Sequence, residues 1–228
     1  MFENIKMVLF DLDHTLWDFD KNHEIALKNT YDKYIKKDIN FDELHLYYNK
    51  INHKLWEKYR KEQITQVELR TQRFKIVFEH FDIKLEDKIK EIDAFYLNSL
   101  SQQKETINGS FEIIDYLNNN YEIGILTNGF ESTQHKKMKS SGLDKHFNFI
   151  ITSDKANALK PNKKIFEYTA SKAGHDIKDI VYIGDDFEND ILGAINANMK
   201  AIWFDLYKEG KKDNIISVQN LIEIKNIL

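Results

Sequence analysis

The sequence predicts an α/β fold, in which a doubly wound parallel sheet carries an inserted helical subdomain. After Gly109, short apolar strands alternate with amphipathic helices, which is typical of consecutive βαβ units. A further apolar strand lies at the N-terminus. It is separated from that series by a long block of helical patterns that contains no glycine. The first strand and the later series are therefore expected to share one sheet.

The first predicted strand is the apolar run at residues 5–10, IKMVLF. It is continuously hydrophobic, as parallel strands covered on both faces tend to be. Charge begins directly after it, because Asp11 and Asp13 follow with one residue between them. Carboxylates beside a core strand are costly unless a metal, a cation or chemistry compensates for them. This point of the chain is therefore a candidate functional site.

The block that follows predicts a helical subdomain. Leu69, Phe74 and Val77, for example, recur at helical spacing, which indicates an amphipathic helix. The predicted helices are residues 20–37, 41–60, 65–81 and 85–100. The predicted domains are a core of residues 1–18 and 102–228 and a helical insertion of residues 19–101.

The remainder of the chain predicts a Rossmann-like βαβ series with right-handed crossovers. Gly142 and Gly174 are suitable C-terminal stops for two of its helices. The predicted helices are residues 110–119, 130–140, 163–173 and 187–197. The predicted strands are residues 121–126, 147–152, 179–184 and 200–204.

Composition excludes several classes of protein. The 228 residues include no cysteine, so neither a disulfide framework nor a thiolate metal site is expected. No segment approaches the roughly 18 apolar residues that a membrane span requires. The net charge of −4 argues against capture of polymeric nucleic acid. We expect a cytoplasmic protein, a monomer or a homodimer, whose partner is a small phosphorylated metabolite.

Polar residues follow each predicted strand. Ligands of open α/β sheets bind outside the carboxyl ends of the strands, so these residues are candidates for one shared site. In chain order they are Asp11 and Asp13; Thr127, Asn128 and Gly129; Lys160; and Asp185 and Asp190.

This set of side chains suits a magnesium site and phosphoryl transfer. Converging carboxylates raise one another's pKa unless a cation lies among them, and oxygen ligands suit Mg²⁺. Asp185 and Asp190 would complete that metal site. Asp11 would attack phosphorus to give an aspartyl phosphate, and Asp13 would act as general acid and base. Lys160 would balance the negative charge of the nucleophile and the phosphate.

The phosphate itself would be bound by the segment after the second strand of the core. Thr127 and Asn128 would donate hydrogen bonds to its oxygens, and Gly129 belongs to the same segment. Thr15 is expected to fix the turn after the first strand through bonds from its hydroxyl to the backbone.

Four segments, DLDHT, TNG, LKP and GDDFEND, resemble in order the signature motifs of the haloacid dehalogenase-like superfamily. The resemblance implies a strand order of 5-4-1-2-3 and a phosphoaspartate at Asp11. It also implies Mg²⁺ held by Asp11, the backbone carbonyl of Asp13 and Asp185, with Asp190 at the second acidic position of the fourth motif. The helical insertion resembles the cap subdomain of this superfamily.

The resemblance also narrows the reaction. Asp13 favours a phosphate ester, because the halide-displacing members lack this second aspartate. The segments DLDHTLWDFD and ELRTQRF look most like the bacterial pyrimidine 5'-nucleotidases. We expect a Mg²⁺-dependent phosphomonoesterase that acts on nucleoside 5'-monophosphates. The alternatives are a phosphoglycolate or sugar-phosphate phosphatase, a β-phosphoglucomutase-like phosphomutase, and an inactive phosphate-binding regulatory module.

Two groups of residues suggest specificity contacts. The three arginines, Arg60, Arg70 and Arg73, lie in the helical block and suit bidentate oxyanion recognition, although a solvated helix face or a structural ion pair also explains them. Aromatic residues could stack on a base or pack in the core. They are Trp17, Phe19, Trp56 and Tyr59.

Overall fold

The computed structural model describes residues 2–36 and 39–228. The chain divides into two compact units. The core unit consists of the residues up to Phe19 and of Lys104–Leu228, and the helical unit consists of Asp20–Gln103. Among the described residues, no helix is both long and apolar enough to cross a lipid bilayer.

The core unit is built on a parallel sheet with the order β3-β2-β1-β4-β5-β6. The predicted order 5-4-1-2-3 is confirmed, because it is the same sheet read from the opposite edge. A further short strand, which was not predicted, extends the sheet beyond β5. The strands are β1 Met7–Phe10, β2 Glu122–Thr127, β3 Phe149–Thr152, β4 Ile180–Gly184, β5 Lys200–Phe204 and β6 Ser217–Val218.

The central strand β1 is fully buried, which explains its continuous hydrophobicity. Its last residue, Phe10, lies opposite Ile125 of β2 and Ile183 of β4. The backbone N–H of Asp11 then donates to the carbonyl of Ile183 at 2.9 Å. This register brings the residues that follow β1, β2 and β4 to the same edge of the sheet.

The described residues of the helical unit form four α-helices, the first of which begins at Phe19, one residue before the unit. They are α1 Phe19–Tyr34, α2 Phe41–Arg60, α3 Gln66–His80 and α4 Ile89–Ser101. Residue 37, the predicted end of the first helix, lies outside the described residues. The start of α3 is fixed by a capping box, in which Thr65 and Glu68 exchange hydrogen bonds between side chain and backbone. The core of this unit includes the rings of Tyr48, Phe74 and Tyr96.

Two of the three arginines form ion pairs within the helical unit. Arg73 is buried, and its Nε and Nη2 lie 3.2 and 2.5 Å from Oδ1 of Asp93. Nε of Arg70 donates to the other oxygen of Asp93 at 2.8 Å. Both arginines therefore have the structural role that was one of the two sequence-based interpretations.

Trp17, in the core unit, is also fully buried and packs as a core residue.

The described α-helices of the core unit are α5 Ser110–Asn118, α6 Glu131–Ser141, α7 Ser153–Ala156, α8 Lys163–Ala173 and α9 Gly193–Asn196. The ends of α5, α6 and α8 match the prediction to within one residue, whereas α7 was not predicted. Gly142 and Gly174 end α6 and α8 with positive φ, as predicted. The prediction of a single α-helix at residues 187–197 was wrong in one respect. Phe187–Leu192 is a π-helix, and only α9 after it is α-helical.

Candidate active site

Lys160 lies among the side chains that the sequence singles out. Its Nζ is 2.9 Å from Oδ1 of Asp11, 2.7 Å from Oδ1 of Asp190 and 2.7 Å from the hydroxyl of Tyr182. The ammonium group is almost fully buried. Tyr182 in turn donates to the carbonyl of Leu126 at 2.7 Å, so one buried network joins β1, β2 and β4.

Asn128 holds the backbone of Lys160 in place. Its Oδ1 accepts from the N–H of Lys160 at 2.8 Å, and its Nδ2 donates to the carbonyl of Lys160 at 3.0 Å. The residues after β2 and the loop after β3 are thus joined by a pair of hydrogen bonds. An amide suits position 128 because it can both donate to and accept from the backbone of Lys160. The sequence did not indicate this pair of hydrogen bonds.

The hydroxyl oxygen of Thr127 accepts two hydrogen bonds. Its Oγ1 accepts from the backbone N–H of Gly129 at 3.1 Å and from Nε2 of Gln134 at 2.8 Å. A hydroxyl oxygen has two acceptor positions and one donor hydrogen. Because both acceptor positions are used, the O–H is the group that remains to donate to a ligand.

Gly129 makes room for Gln134. A Cβ at position 129 would overlap the side-chain amide of Gln134, so a larger residue fits there only if Gln134 moves. The same argument applies at the end of β4, where a Cβ on Gly184 would overlap the carboxylate of Asp190. Both glycines therefore allow the close approach of a neighbouring side chain.

Three carboxylates, Asp11, Asp185 and Asp190, converge at the end of β1 and β4. Each offers an oxygen, and these oxygens lie within 4.8 Å of one another. Asp185 accepts from Oγ1 of Thr15 at 3.1 Å. The expectation that Thr15 bonds to the backbone of its turn was wrong, because its hydroxyl is used to orient this carboxylate. Asp190 accepts from the backbone N–H of Asp186 at 3.2 Å.

Burial and mutual repulsion raise the pKa of these carboxyl groups. Burial is the main cause of the raised pKa of Asp11, although Lys160 opposes it. Burial also raises the pKa of Asp185 and of Asp190 well above the ordinary value, and the neighbouring carboxylates add to both shifts. Burial alone would lower the pKa of Lys160, but Asp11 and Asp190 outweigh it and raise that pKa above its ordinary value.

The acidic cluster fits a hard divalent cation. It supplies carboxylate oxygens that lack enough positive charge, because among the described residues Lys160 forms ion pairs with Asp11 and Asp190 but not with Asp185. Oxygen ligands of this kind suit Mg²⁺, which usually takes one or two carboxylates together with water and substrate oxygens.

The carboxylate of Asp13 contacts a different set of residues. Nζ of Lys137 lies 2.7 Å from its Oδ1 and 2.9 Å from its Oδ2, and Nε2 of Gln134 donates to Oδ2 at 3.0 Å. Both partners belong to α6, and the sequence reasoning missed both. The signal that could have found them is helical spacing, because Gln134 and Lys137 share a face with the buried Met138.

A family model described as haloacid dehalogenase-like hydrolase matches residues 8–204. The chain belongs to this family. It is 28% identical over 226 residues to the pyrimidine 5'-nucleotidase YjjG of Escherichia coli (strain K12), covering 97% of this chain and 96% of that protein. It is 32% identical over 202 residues to the pyrimidine 5'-nucleotidase PynA of Streptococcus pneumoniae (strain ATCC BAA-255 / R6), covering 87% and 83%.

A solved structure of the HAD-hydrolase YfnB from Bacillus subtilis, described as bound to magnesium, matches this hydrolase with a TM-score of 0.89. The identity is 25%, and the match covers 98% of each chain. The recognition of the superfamily from its four motifs is therefore confirmed. The protein is an enzyme of the hydrolase class.

Proposed function

We propose that this hydrolase is a Mg²⁺-dependent phosphomonoesterase, that it acts through an aspartyl phosphate on Asp11, and that its substrates are nucleoside 5'-monophosphates. The observation that carries the proposal is the position of Lys160, whose ammonium group contacts both Asp11 and Asp190 at the edge where the strands end. A buried cation beside a carboxylate nucleophile suits a reaction in which a phosphate dianion must approach that carboxylate.

The proposed metal ligands are the side chains of Asp11, Asp185 and Asp190 and the backbone carbonyl of Asp13. When bound, Mg²⁺ supplies positive charge that lets the carboxylates and the phosphate share one site. The backbone hydrogen bond from Asp11 to β4 fixes the position of Asp11. The hydrogen bond from the hydroxyl of Thr15 orients the carboxylate of Asp185.

The proposed reaction has two steps. In the first, a carboxylate oxygen of Asp11 attacks phosphorus, the bond from phosphorus to the ester oxygen breaks, and Asp13 gives a proton to that oxygen. In the second, water adds to phosphorus and the bond to Asp11 breaks, while Asp13 takes a proton from the water. Lys160 and the free O–H of Thr127 stabilise the charge on the phosphate oxygens, together with Asn128 and Gly129.

The proposed substrate class rests on the relatives. Two proteins named pyrimidine 5'-nucleotidases resemble this chain over most of their length. The presence of Asp13 supports an ester substrate, because the alkoxide of a nucleoside is a poor leaving group that benefits from protonation. The family resemblance implies a cap subdomain, and we assign this role to the helical unit. We propose that the cap contributes to the choice of substrate.

A phosphate-release screen tests this function. The purified chain is incubated with nucleoside monophosphates, sugar phosphates and phosphoglycolate, with Mg²⁺ and with EDTA. We expect phosphate release from pyrimidine nucleoside monophosphates in Mg²⁺ and none in EDTA. Conversion of a sugar phosphate to its isomer without phosphate release would instead identify a phosphomutase.

Substitution of the nucleophile gives the decisive comparison. Asp11→Asn is expected to abolish phosphate release with an unchanged circular dichroism spectrum. Asp144→Asn is the matched control, because Asp144 is an exposed carboxylate of the same unit, and it is expected to retain wild-type turnover. Phosphate release by Asp11→Asn at the wild-type rate would exclude the aspartyl-phosphate mechanism.

A further inference from the structure

Lys137 is a buried cation outside the residues to which the proposed function assigns a role. It lies on α6 and its side chain is 4% exposed, whereas its neighbours Lys136 and Lys139 are exposed to solvent. Removing an ammonium group from water is costly unless a charged partner compensates. Its partner is Asp13, and it contacts both oxygens of that carboxylate, at 2.7 and 2.9 Å.

Aromatic rings restrict where Lys137 can reach. Its Nζ lies 4.4 Å from the ring centroid of Trp17 and 5.4 Å from that of Phe19. Cation–π contacts at these distances favour one position of the ammonium group. The carboxylate of Asp13 is thus held from one side by a cation that packing keeps in place.

Gln134 holds Asp13 from a second direction and ties it to Thr127. The two hydrogens of its Nε2 are both used, one on Oδ2 of Asp13 at 3.0 Å and one on Oγ1 of Thr127 at 2.8 Å. The amide therefore sets the distance between Asp13 and the hydroxyl proposed to bind phosphate. The opposite orientation of the amide would place its oxygen against the Asp13 carboxylate, which is repulsive.

We propose that Lys137 is a positioning residue for the general acid and base Asp13, and that Gln134 completes this role by linking Asp13 to Thr127. The inference rests on the proposed function, because it assigns these residues to a proton transfer in that reaction. Proton transfer needs donor and acceptor within hydrogen-bond reach, and a carboxylate held by three donor contacts cannot rotate away from the ester oxygen.

The position of Asp13 matters most when the leaving group is basic. As the bond from phosphorus to the ester oxygen breaks and the bond to Asp11 forms, the carboxyl proton of Asp13 moves to the ester oxygen. Asp13 is then a carboxylate, and the ammonium group of Lys137 balances its new charge. 4-Nitrophenolate leaves readily without a proton, whereas phenolate is more basic and needs one.

The experiment compares these two leaving groups in single turnovers with enzyme in excess. Release of phenol or 4-nitrophenol reports the first step alone. For Lys137→Met, we expect a loss of roughly 10²-fold with phenyl phosphate, the lower end of the effect of a positioned acid. With 4-nitrophenyl phosphate we expect a loss below about 10-fold. Lys136→Met is the matched control and is expected to leave both rates unchanged.

The outcomes separate this inference from the proposed function. Equal losses of Lys137→Met with both substrates, or no loss with either, would overturn the positioning role, since neither depends on the leaving group. Failure of the wild-type chain to release phosphate from these phenyl esters and from every nucleoside monophosphate would overturn the proposed function itself. If Lys137→Met does not fold, Gln134→Leu carries the same comparison, because it removes another donor to Asp13. A larger loss with phenyl phosphate than with 4-nitrophenyl phosphate supports the inference, and an equal loss refutes it.

Discussion

Nζ of Lys160 lies 2.9 Å from Oδ1 of Asp11, although the two residues are 149 positions apart in the chain. The contact joins the tip of the central strand to the loop that follows β3. Oδ1 of Asp190 lies slightly closer to the same ammonium group, at 2.7 Å. One buried cation therefore compensates for carboxylates of two segments, which follow β1 and β4.

Lys160→Met tests how far the site depends on this cation. Removing one partner of a buried ion pair typically costs about 3–5 kcal/mol, so we expect the free energy of unfolding at pH 8 to fall by roughly that amount. The deficit should shrink toward pH 5, because protonation relieves the repulsion between carboxyl groups whose pKa is raised in the folded state. Urea denaturation at both pH values measures this difference in the free energy of unfolding. Lys164→Met, an exposed control on α8, should change neither value.

Mg²⁺ is expected to raise the melting temperature. The carboxyl groups of Asp11, Asp185 and Asp190 have a raised pKa in the folded state, so the stability that they contribute is present below the ordinary value of 3.8 and is lost as pH rises through the raised pKa. A bound cation offsets this loss at neutral pH. At about 100 times the dissociation constant it adds ~2.7 kcal/mol, or roughly 5–10 °C for a chain of this size.

The melting temperature should be recorded at pH 7.5 and at pH 5, with Mg²⁺ and with an equal ionic strength of NaCl. We expect a smaller shift at pH 5, where protons compete for the same oxygens, and no shift in Asp185→Asn. A shift that NaCl reproduces, or that Asp185→Asn retains in full, would contradict the assignment of the metal site.

Gly184→Ala should impair activity more than stability. A Cβ at position 184 overlaps the carboxylate of Asp190, which must move away from Lys160. We expect kcat for phosphate release to fall at least 10-fold. Gly142→Ala is the control, because Gly142 has positive φ and no atom near a Cβ; it should cost about 1–2 kcal/mol of stability with wild-type kcat. The same kcat for both variants would refute the steric argument.

Arg73→Met should destabilise the protein without changing the chemistry. The substitution leaves the buried Asp93 with one of its two arginine partners, so we expect a loss of about 3–5 kcal/mol in urea denaturation. Arg70→Met, whose side chain is 36% exposed, should cost less. KM for the nucleotide should stay at the wild-type value in both variants while they remain folded. A raised KM at unchanged stability would restore oxyanion recognition as the role of Arg73.

The sheet was predictable because its signals are strong and local. Apolar runs such as residues 200–204 match β5 to the residue, and the glycines after α6 and α8 mark their ends. β6 was missed because Ser217–Val218 is too short to form a pattern. The π-helix at Phe187–Leu192 was missed because its wider turns leave no distinct hydrophobic period in so short a segment.

The candidate site was predictable only where residues follow strands. Asp11, Lys160 and Asp185 were found by that rule, and the structure brings them together with Asp190. Lys137 was missed by this rule because it lies within a helix. The other lysines of that helix face solvent, so composition cannot distinguish Lys137 from Lys136. The hydroxyl of Tyr182 was also missed, since a tyrosine in an apolar strand is read as a core ring.

The central position of β1 means that its partner strands appear late during synthesis of the chain. Its neighbours β2 and β4 are encoded after the helical unit, and β4 pairs with it from Ile180 onward. At translation rates of about 5–20 residues per second, roughly 10–30 s pass between emergence of the two strands from the ribosome. A nascent chain therefore carries Asp11, the proposed nucleophile, long before Lys160 and Asp190 exist to balance its charge. Fragments that end before residue 190 lack part of the proposed site, so we expect hydrolysis only after residue 190 has been synthesised.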